Sequence, residues 1–337
     1  MIDVAAAIIE KQGPDGTLVL AARRKAGAHM AGFWEFPGGK IEANETAQQC
    51  LVRELAEELT ITASVGEMIG QSIHHYDTVS VRLLAYRAVQ VAGEIELIDH
   101  DKLIWLAPEA LDQLNWAAAD IPLVKSYQLR HHTANYYQAN AQTYFDERIA
   151  DETTVTPSPL EANRDAFLQQ LNAGDHILDL GCGSGRDSLA FLQAGYTVTA
   201  IDGCAELAEL AAKRIGQPVT VISFEGLNDK QLYDGIWACA SLLHCDKGQI
   251  TLVLGNVINA LKPGGSAYLS FKWGDDETVD DKGRFFNNYT DMSLRELLGQ
   301  FDDISINRLW DESQLLRGAP QRWVNVLIGK SGGGTSL

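Results

Sequence analysis

The segment Ile177-Leu178-Asp179-Leu180-Gly181-Cys182-Gly183-Ser184-Gly185 is an apolar run that breaks into three alternate glycines just before Arg186. Such a run reads as a buried strand turning sharply into a helix, with glycine wherever the backbone must take φ > 0 or approach a ligand closely. A strand buried on both faces needs helices on either side, so this part of the chain is constrained to a doubly wound α/β sheet.

The following residues repeat the alternation. His176–Leu180, Thr197–Asp202, Val219–Phe224, Gly235–Ala240 and Ser266–Lys272 read as strands, and Asp187–Ala194, Ala205–Ile215 and Gln249–Leu261 as helices. The chain has 337 residues, room for a second domain. Its first part differs in character. Val4–Glu10, Thr17–Ala22, Ser80–Val91 and Leu103–Leu106 read as strands, with hairpin-turn residues at Gly13-Pro14-Asp15-Gly16. Thr46–Leu59 reads as one charged helix, Pro108–Leu114 and Pro122–Leu129 as shorter ones. These patterns predict an α/β protein of two domains, 1–130 and 134–330, with a boundary at His131-His132-Thr133 and a disordered tail over 331–337. The Thr156-Pro157-Ser158-Pro159 stretch reads as a loop inside the second domain.

Charge narrows the partners. The net charge is −18, divided as −7 up to residue 130 and −11 beyond it. Neither part offers the basic field that a nucleic-acid polymer or an anionic membrane surface attracts. The apolar run Val4–Ile9 is too short to span a bilayer and reads as a buried strand. Five cysteines without a Cys-x-x-Cys pair fit a reducing cytoplasm and no structural zinc. A small substrate delivered with a divalent cation fits this chain best.

Residues 39–58 show where such a cation would go: Gly39, Glu45, Arg53, Glu54, Glu57 and Glu58 recur as Gly-x5-Glu-x7-Arg-Glu-x-x-Glu-Glu. Glu54, Glu57 and Glu58 fall at i, i+3 and i+4 and share one side of the helix. Like charges so placed repel by a few tenths of a kcal/mol per pair, roughly, so helix stability is not their purpose. Hard oxygen donors suit Mg²⁺ or Mn²⁺ with substrate phosphates, and Arg53 can hold Glu54 ionised.

This pattern resembles the Nudix hydrolases over residues 1 to about 128, most closely the MutT-type branch with its 8-oxo-dGTP diphosphatases and CTP pyrophosphohydrolases. Residues 23–30, Trp34-Glu35-Phe36-Pro37-Gly38-Gly39-Lys40 and Ala118-Ala119-Asp120-Ile121-Pro122 carry the likeness. The resemblance implies an α/β/α sandwich with a mixed sheet that hydrolyses a nucleoside triphosphate to monophosphate and pyrophosphate. It implies Glu54, Glu57, Glu58 and the Gly39 backbone as metal ligands, Arg53 beside them, and Arg24 against phosphate. A further acid is expected before Trp105, with Asp99 and Asp101 as candidates. Asp120 is expected at the base edge: an ionised Asp accepts from the amino group of cytosine, a protonated one also donates toward oxidised guanine. The wording around Asp120 leans toward the CTP type. Trp34, Phe33 and Phe36 are candidates to stack on a base, with core packing the competing role. Thr60 stands where the family has glycine, so the helix lacks its usual C-terminal residue.

The second segment resembles class I S-adenosylmethionine-dependent methyltransferases, over about 134–330, with a likeness at 284–290 and 321–326 to small-molecule enzymes of the tellurite-resistance type. A dinucleotide-binding domain would carry Gly-x-Gly-x-x-Gly, and position 186 is Arg. The resemblance implies Asp179, Gly181, Gly183 and Gly185 around the methionine part of S-adenosylmethionine, Asp202 on the ribose and Phe224 near adenine. Asp187, His244, Lys272 and Arg284 are candidates for the acceptor side, against cap or surface roles. Tyr136, Tyr137 and Tyr144 are candidates to cover the pocket, against core packing. The expected protein is thus a bifunctional cytoplasmic enzyme, or a Nudix hydrolase whose second domain only senses its ligand.

Overall fold

The structure is a computed structural model that describes residues 1–154, 159–316 and 319–332. The expected loop at 156–158 and the expected tail from 333 onward lie outside the described residues. The chain forms two compact units, Met1–His131 and His132–Leu337.

In the first unit, β1 (Ile2–Gly13) and β2 (Gly16–Arg24) form a hairpin closed at Gly13 and Gly16. Next come β3 (Trp34–Glu35), β4 (Gly38–Lys40), α1 (Ala47–Leu59), β5 (Thr62–His75), β6 (Ser80–Ala92) and β7 (His100–Leu106). A 3₁₀ turn at Pro108–Gln113 follows, and then the helix α2 (Ile121–Thr154), whose residues up to His131 belong to this unit. The sheet runs β3-β2-β1-β6-β5, with β4 on β1 and β7 on β2; β1 and β6 are parallel and the other pairs antiparallel.

β1 is central, and its Ala-Ala-Ala-Ile-Ile run is buried on both faces. Ala5, Ala7 and Ile9 pack with Leu51, Leu55 and Leu59 of α1. Ala6 and Ile8 pack with Leu111, Trp116, Leu123 and Tyr127. Each leucine of the α1 stripe is fully buried, worth about 1.5–3 kcal/mol apiece. Thr46 caps the helix in a capping box with Gln49. At the other end Thr60 takes the left-handed conformation, φ 57°, without glycine, and its hydroxyl donates to the Glu94 carbonyl at 2.7 Å.

The strand β5 and the length of α2 go beyond the sequence reading. β5 has no clean alternation and contains Gly66 and Gly70; it is held by its register with β6, which shifts at three places. The helix expected at Pro122–Leu129 is longer, running on to Thr154 and leaving helical geometry at Asn140 (φ −119°, ψ 15°), while the units divide between His131 and His132.

The second unit contains α3 (Pro159–Leu168), β8 (His176–Leu180), α4 (Arg186–Gln193), β9 (Thr197–Asp202), α5 (Ala205–Ile215), β10 (Val219–Val221) and β11 (Tyr233–Ala238). A 3₁₀ turn at Leu242–His244, α6 (Ile250–Ala260), β12 (Leu261–Lys272), β13 (Glu277–Val279), β14 (Phe285–Asn287), α7 (Asp291–Leu298), β15 (Ile304–Leu316) and β16 (Ala319–Lys330) complete it. The sheet order is β10-β9-β8-β11-β12-β16-β15; the first five strands are parallel, β16 pairs antiparallel with β12, and β15 pairs antiparallel with β16. The order reverses at β8, so the crevice for a ligand lies beyond the carboxyl ends of β8 and β11. Val253, Leu254 and Val257 of α6 cover one face, and Phe167 and Phe191 pack on Trp237 at the other. β10 is shorter than expected, ending at Val221 instead of Phe224. No helix among the described residues is long and apolar enough to cross a membrane.

Candidate active sites

In the first unit, α1 carries Glu54, Glu57 and Glu58, and Arg53 holds the first two together with Glu45. Its guanidinium donates to Glu45 Oε1 and Glu54 Oε1, each at 2.7 Å, and to Glu57 Oε2 at 3.3 Å. Arg53 and the Glu42 backbone N–H hold the Glu45 carboxyl down at about 2. Glu58 turns away from Arg53 into a cavity of about 180 Å³ lined by Arg24, Lys25, Ala28, Glu35, Glu58, Asp99 and His100. Burial pushes its carboxyl up to about 7, opposed by His100.

Several buried polar atoms around this cavity have no partner: Glu58 Oε2, Arg24 Nε and His100 Nδ1. Unsatisfied groups are costly when buried, so three of them around one cavity mark a place for a polar ligand. Glu35 joins the other two ends, accepting from Arg24 and from His100 Nε2 at 3.0 Å. Asp99 faces the same cavity and pairs with Lys25, whose hydrogen bond lowers its pKa. Asp101, the other candidate, pairs with Arg23 at 2.7 Å and does not line it. Sequence reasoning assigned no role to Glu35 or His100. Glu35 belongs to the Trp34–Lys40 motif, whereas only the pairing of β7 with β2 turns His100 inward.

Do these residues suit a hard divalent cation? The donors are all oxygens, and a Cβ on Gly39 would stand 2.2 Å from the Glu54 carboxylate, so glycine leaves that carboxylate its place. Glu58 Oε2 is an orphaned acceptor. Among the described residues no three His, Cys, Asp or Glu side chains are already gathered as a ligand cluster; Arg53 holds Glu54 and Glu57 while Glu58 faces the cavity. The donor chemistry fits.

On the base side Trp34 takes the core role and not the stacking one. Trp34 is only 8% exposed, packed in the core with Phe36 and Trp116, and lies outside the cavity lining. The reason is β3, whose pairing with β2 turns the Trp34 side chain inward. Asp120 is buried too, its Oδ1 accepting from the Phe36 N–H at 3.0 Å. Burial pushes its carboxyl up to about 8, against the opposing pull of that N–H. A shift in this direction favours the protonated carboxyl, which can donate as well as accept.

In the second unit, Gly181, Gly183 and Gly185 all take positive φ (80°, 54° and 72°). A Cβ at Gly181 would meet Ser241 Cβ at 2.5 Å, and one at Gly185 would meet Ile215 at 2.9 Å. Asp202, at the end of β9, accepts from the N–H of Gly183 at 2.8 Å and of Cys204 at 2.9 Å. This ties the carboxylate to the glycine loop. Asp179 accepts from Ser188 Oγ at 2.6 Å, and burial together with the neighbouring Asp187 raises its pKa. The Phe224 ring approaches Gly181, its Cε1 standing 3.5 Å from where a Cβ would be.

Of the acceptor-side candidates, Asp187 is occupied. It accepts from Arg164 at 2.7 Å, Arg186 at 3.0 Å and Trp237 Nε1 at 3.0 Å, and it braces α4 against β11. His244, Lys272 and Arg284 do come together, around the Phe286 ring. Tyr136, Tyr137 and Tyr144 form an edge-to-face row, with Tyr144 alongside Gly183.

The comparisons with known proteins divide at the same place. The family model described as NUDIX domain matches residues 1–127, and the one described as Methyltransferase domain matches residues 177–265. CTP pyrophosphohydrolase of Escherichia coli K12 is 41% identical over 127 residues, covering 38% of this chain and 91% of that protein. Putative 8-oxo-dGTP diphosphatase 2 of Mycobacterium tuberculosis (CDC 1551 / Oshkosh) is 39% identical over 122 residues, 35% of this chain and 82% of that one. Among solved structures, the 1,6-didemethyltoxoflavin-N1-methyltransferase of Burkholderia thailandensis is similar at 22% identity and a TM-score of 0.48, over 60% of this chain and 90% of that chain. Through residues 1–127 this chain belongs to the Nudix family, and it carries a methyltransferase domain as well.

Proposed function

We propose that the first unit hydrolyses a nucleoside triphosphate to nucleoside monophosphate and pyrophosphate with Mg²⁺ or Mn²⁺. The observation that carries this reading is the cavity with three orphaned polar atoms at the end of the glutamate helix. Glu54, Glu57, Glu58 and the Gly39 backbone would hold the cation. When bound, such an ion neutralises charge on phosphoryl oxygens and lowers the pKa of water. Arg53 orients Glu54 and Glu57 through its hydrogen bonds to them. Arg24, fixed by Glu35, meets a phosphate with its free Nε, and Asp99 is the additional acid at the cavity. A substrate screen reporting pyrophosphate, with CTP and 8-oxo-dGTP under Mg²⁺ and Mn²⁺, tests this; no release from any triphosphate refutes it. Between the two base types, similarity to the CTP enzyme supports the pyrimidine. The raised pKa of buried Asp120 supports a donor–acceptor contact of the oxidised-guanine kind.

For the second unit the proposal is transfer of a methyl group from S-adenosylmethionine to a small molecule. Support comes from the loop Gly181–Gly185 at the switch point and from Asp202 beside it. Asp179, Gly181, Gly183 and Gly185 would surround the methionine part, Asp202 would accept from the ribose hydroxyls, and Phe224 would face adenine. The enzyme's contribution is chiefly alignment of donor and acceptor. Labelled S-adenosylmethionine tests this: transfer of label supports an enzyme, and binding without transfer supports a sensor.

A further inference from the structure

We propose that Lys272 and Arg284 form the oxyanion subsite of the methyl acceptor, which is therefore a small planar molecule bearing a carboxylate or a phosphate. The proposal rests on reading the second unit as a methyltransferase. Lys272 ends β12 and His244 follows β11, at the same carboxyl edge of the sheet as Gly181–Gly185 and Asp202. An acceptor must reach this edge to meet a methyl donor held there.

The charges at this place do not balance. Arg284 is half-buried and bound to Asp280, donating at 2.7 and 2.9 Å. Lys272 is also partly buried, yet among the described residues its ammonium has no carboxylate or carbonyl partner. It stands 3.2 Å from the centre of the Phe286 ring, beside the Arg284 charge. A ring face attracts a cation but accepts none of its hydrogen bonds in the ordinary sense, so the N–H donors remain free for a ligand. Burial, then Arg284, lowers the Lys272 pKa to about 8. Two cations against one carboxylate, in a chain of net charge −18, call for an anion.

The walls are aromatic. The Arg284 guanidinium lies 4.9 Å from the Tyr136 ring centre and 5.3 Å from that of Phe286. His244 Nδ1 donates to the Phe285 carbonyl at 2.7 Å, which leaves Nε2 to accept the Tyr137 hydroxyl at 2.9 Å. Burial lowers the His244 pKa to about 4, so the ring is neutral and adds no charge. From Tyr137 the row continues to Tyr144, rings 5.3 Å apart, and so to Gly183. The cation pair is thus joined to the glycine loop by one layer of rings, which favours a flat acceptor.

The test uses the full chain and titrates S-adenosylhomocysteine first, then benzoate and inorganic phosphate as the two oxyanion probes into the saturated protein. At least one probe is expected to bind. Lys272→Met should weaken it about tenfold or more, the scale of one charge-assisted contact. Lys272→Arg should restore most of it, and Lys213→Met, on the exposed face of α5, should change nothing. Unaltered S-adenosylhomocysteine affinity in each variant shows that the unit is folded. Which probe binds tells phosphate from carboxylate. If S-adenosylhomocysteine binds and neither probe does, or if Lys272→Met binds both as wild type does, the subsite is refuted. If S-adenosylhomocysteine itself fails to bind, the methyltransferase reading falls, and the subsite with it.

Discussion

Gly38 and Gly39 are adjacent, yet adding one methyl group to each should have opposite consequences. At Gly38, φ is 155° and a Cβ would lie 2.1 Å from the Ala5 carbonyl oxygen in the central strand. That neighbour is backbone in a fully buried run and cannot move aside. The strained conformation alone costs about 1–3 kcal/mol. Pushing β4 off β1 adds to this, against a total stability on the order of 5–15 kcal/mol. At Gly39 the obstacle is the Glu54 carboxylate at 2.2 Å, the far end of a flexible side chain. To regain ordinary contact it must move by roughly 1 Å, a misplacement that can cost about 10²-fold in rate. The stability change is small. The partly exposed Arg53–Glu54 pair is worth about 0.2–1 kcal/mol, and the reduced freedom of the unfolded chain on Gly→Ala returns about 0.4–1 kcal/mol. Urea denaturation followed through the first unit, paired with pyrophosphate release across a Mg²⁺ titration, separates the cases. Gly38→Ala should lose stability, and Gly39→Ala should keep it and lose activity. Equal destabilisation of the two, or a fully active Gly39→Ala, would falsify the placement of Glu54.

Further outcomes follow from other residues. Asp120 has its folded pKa raised from 3.8 to about 8, so between those values the native state holds a proton that the unfolded state has released. Its contribution to stability is complete below about pH 4 and is lost as pH rises through 8, on the order of 6 kcal/mol across the window. Asp120→Asn, whose amide oxygen can still accept from Phe36, should flatten that slope; Tm-against-pH curves parallel to wild type would count against a protonated Asp120. Glu57 is largely exposed on α1, so Glu57→Gln should leave the fold and S-adenosylmethionine binding intact while abolishing triphosphate hydrolysis; retained hydrolysis would remove it from the ligand set. Asp202→Ala should weaken S-adenosylmethionine by about tenfold or more through loss of charge-assisted contacts, without altering hydrolysis. Calorimetry showing unchanged affinity would contradict the ribose role.

Local chemistry made much of this protein readable in advance. The α1 helix follows from Thr46, Gln49 and leucines every four residues, all within reach of one another along the chain. The glycine turn after β8 follows from the intolerance of other residues for positive φ at Gly181, Gly183 and Gly185. The glutamate spacing likewise puts Glu54, Glu57 and Glu58 within neighbouring turns of one helix, whereas Arg53 and the cavity decide where each carboxylate points. Thr60 qualifies this: it enters the left-handed region without glycine because Glu94, brought in from 34 residues away, accepts its hydroxyl.

What tertiary structure decided lies where distant segments meet. β5 and the β15–β16 pair lack a strong pattern of their own and exist through register with a neighbouring strand. Trp34 could have faced a base or the core, and pairing of β3 with β2 chose the core. The composition says nothing of Arg24, Glu35 and His100 meeting in one cavity, nor of Lys272 and Arg284 meeting at the Phe286 ring. Helical and turn preferences are properties of a few consecutive residues and their φ/ψ limits. Burial, charge balance and protonation depend on what the folded chain packs against each group, and no stretch of sequence carries that by itself.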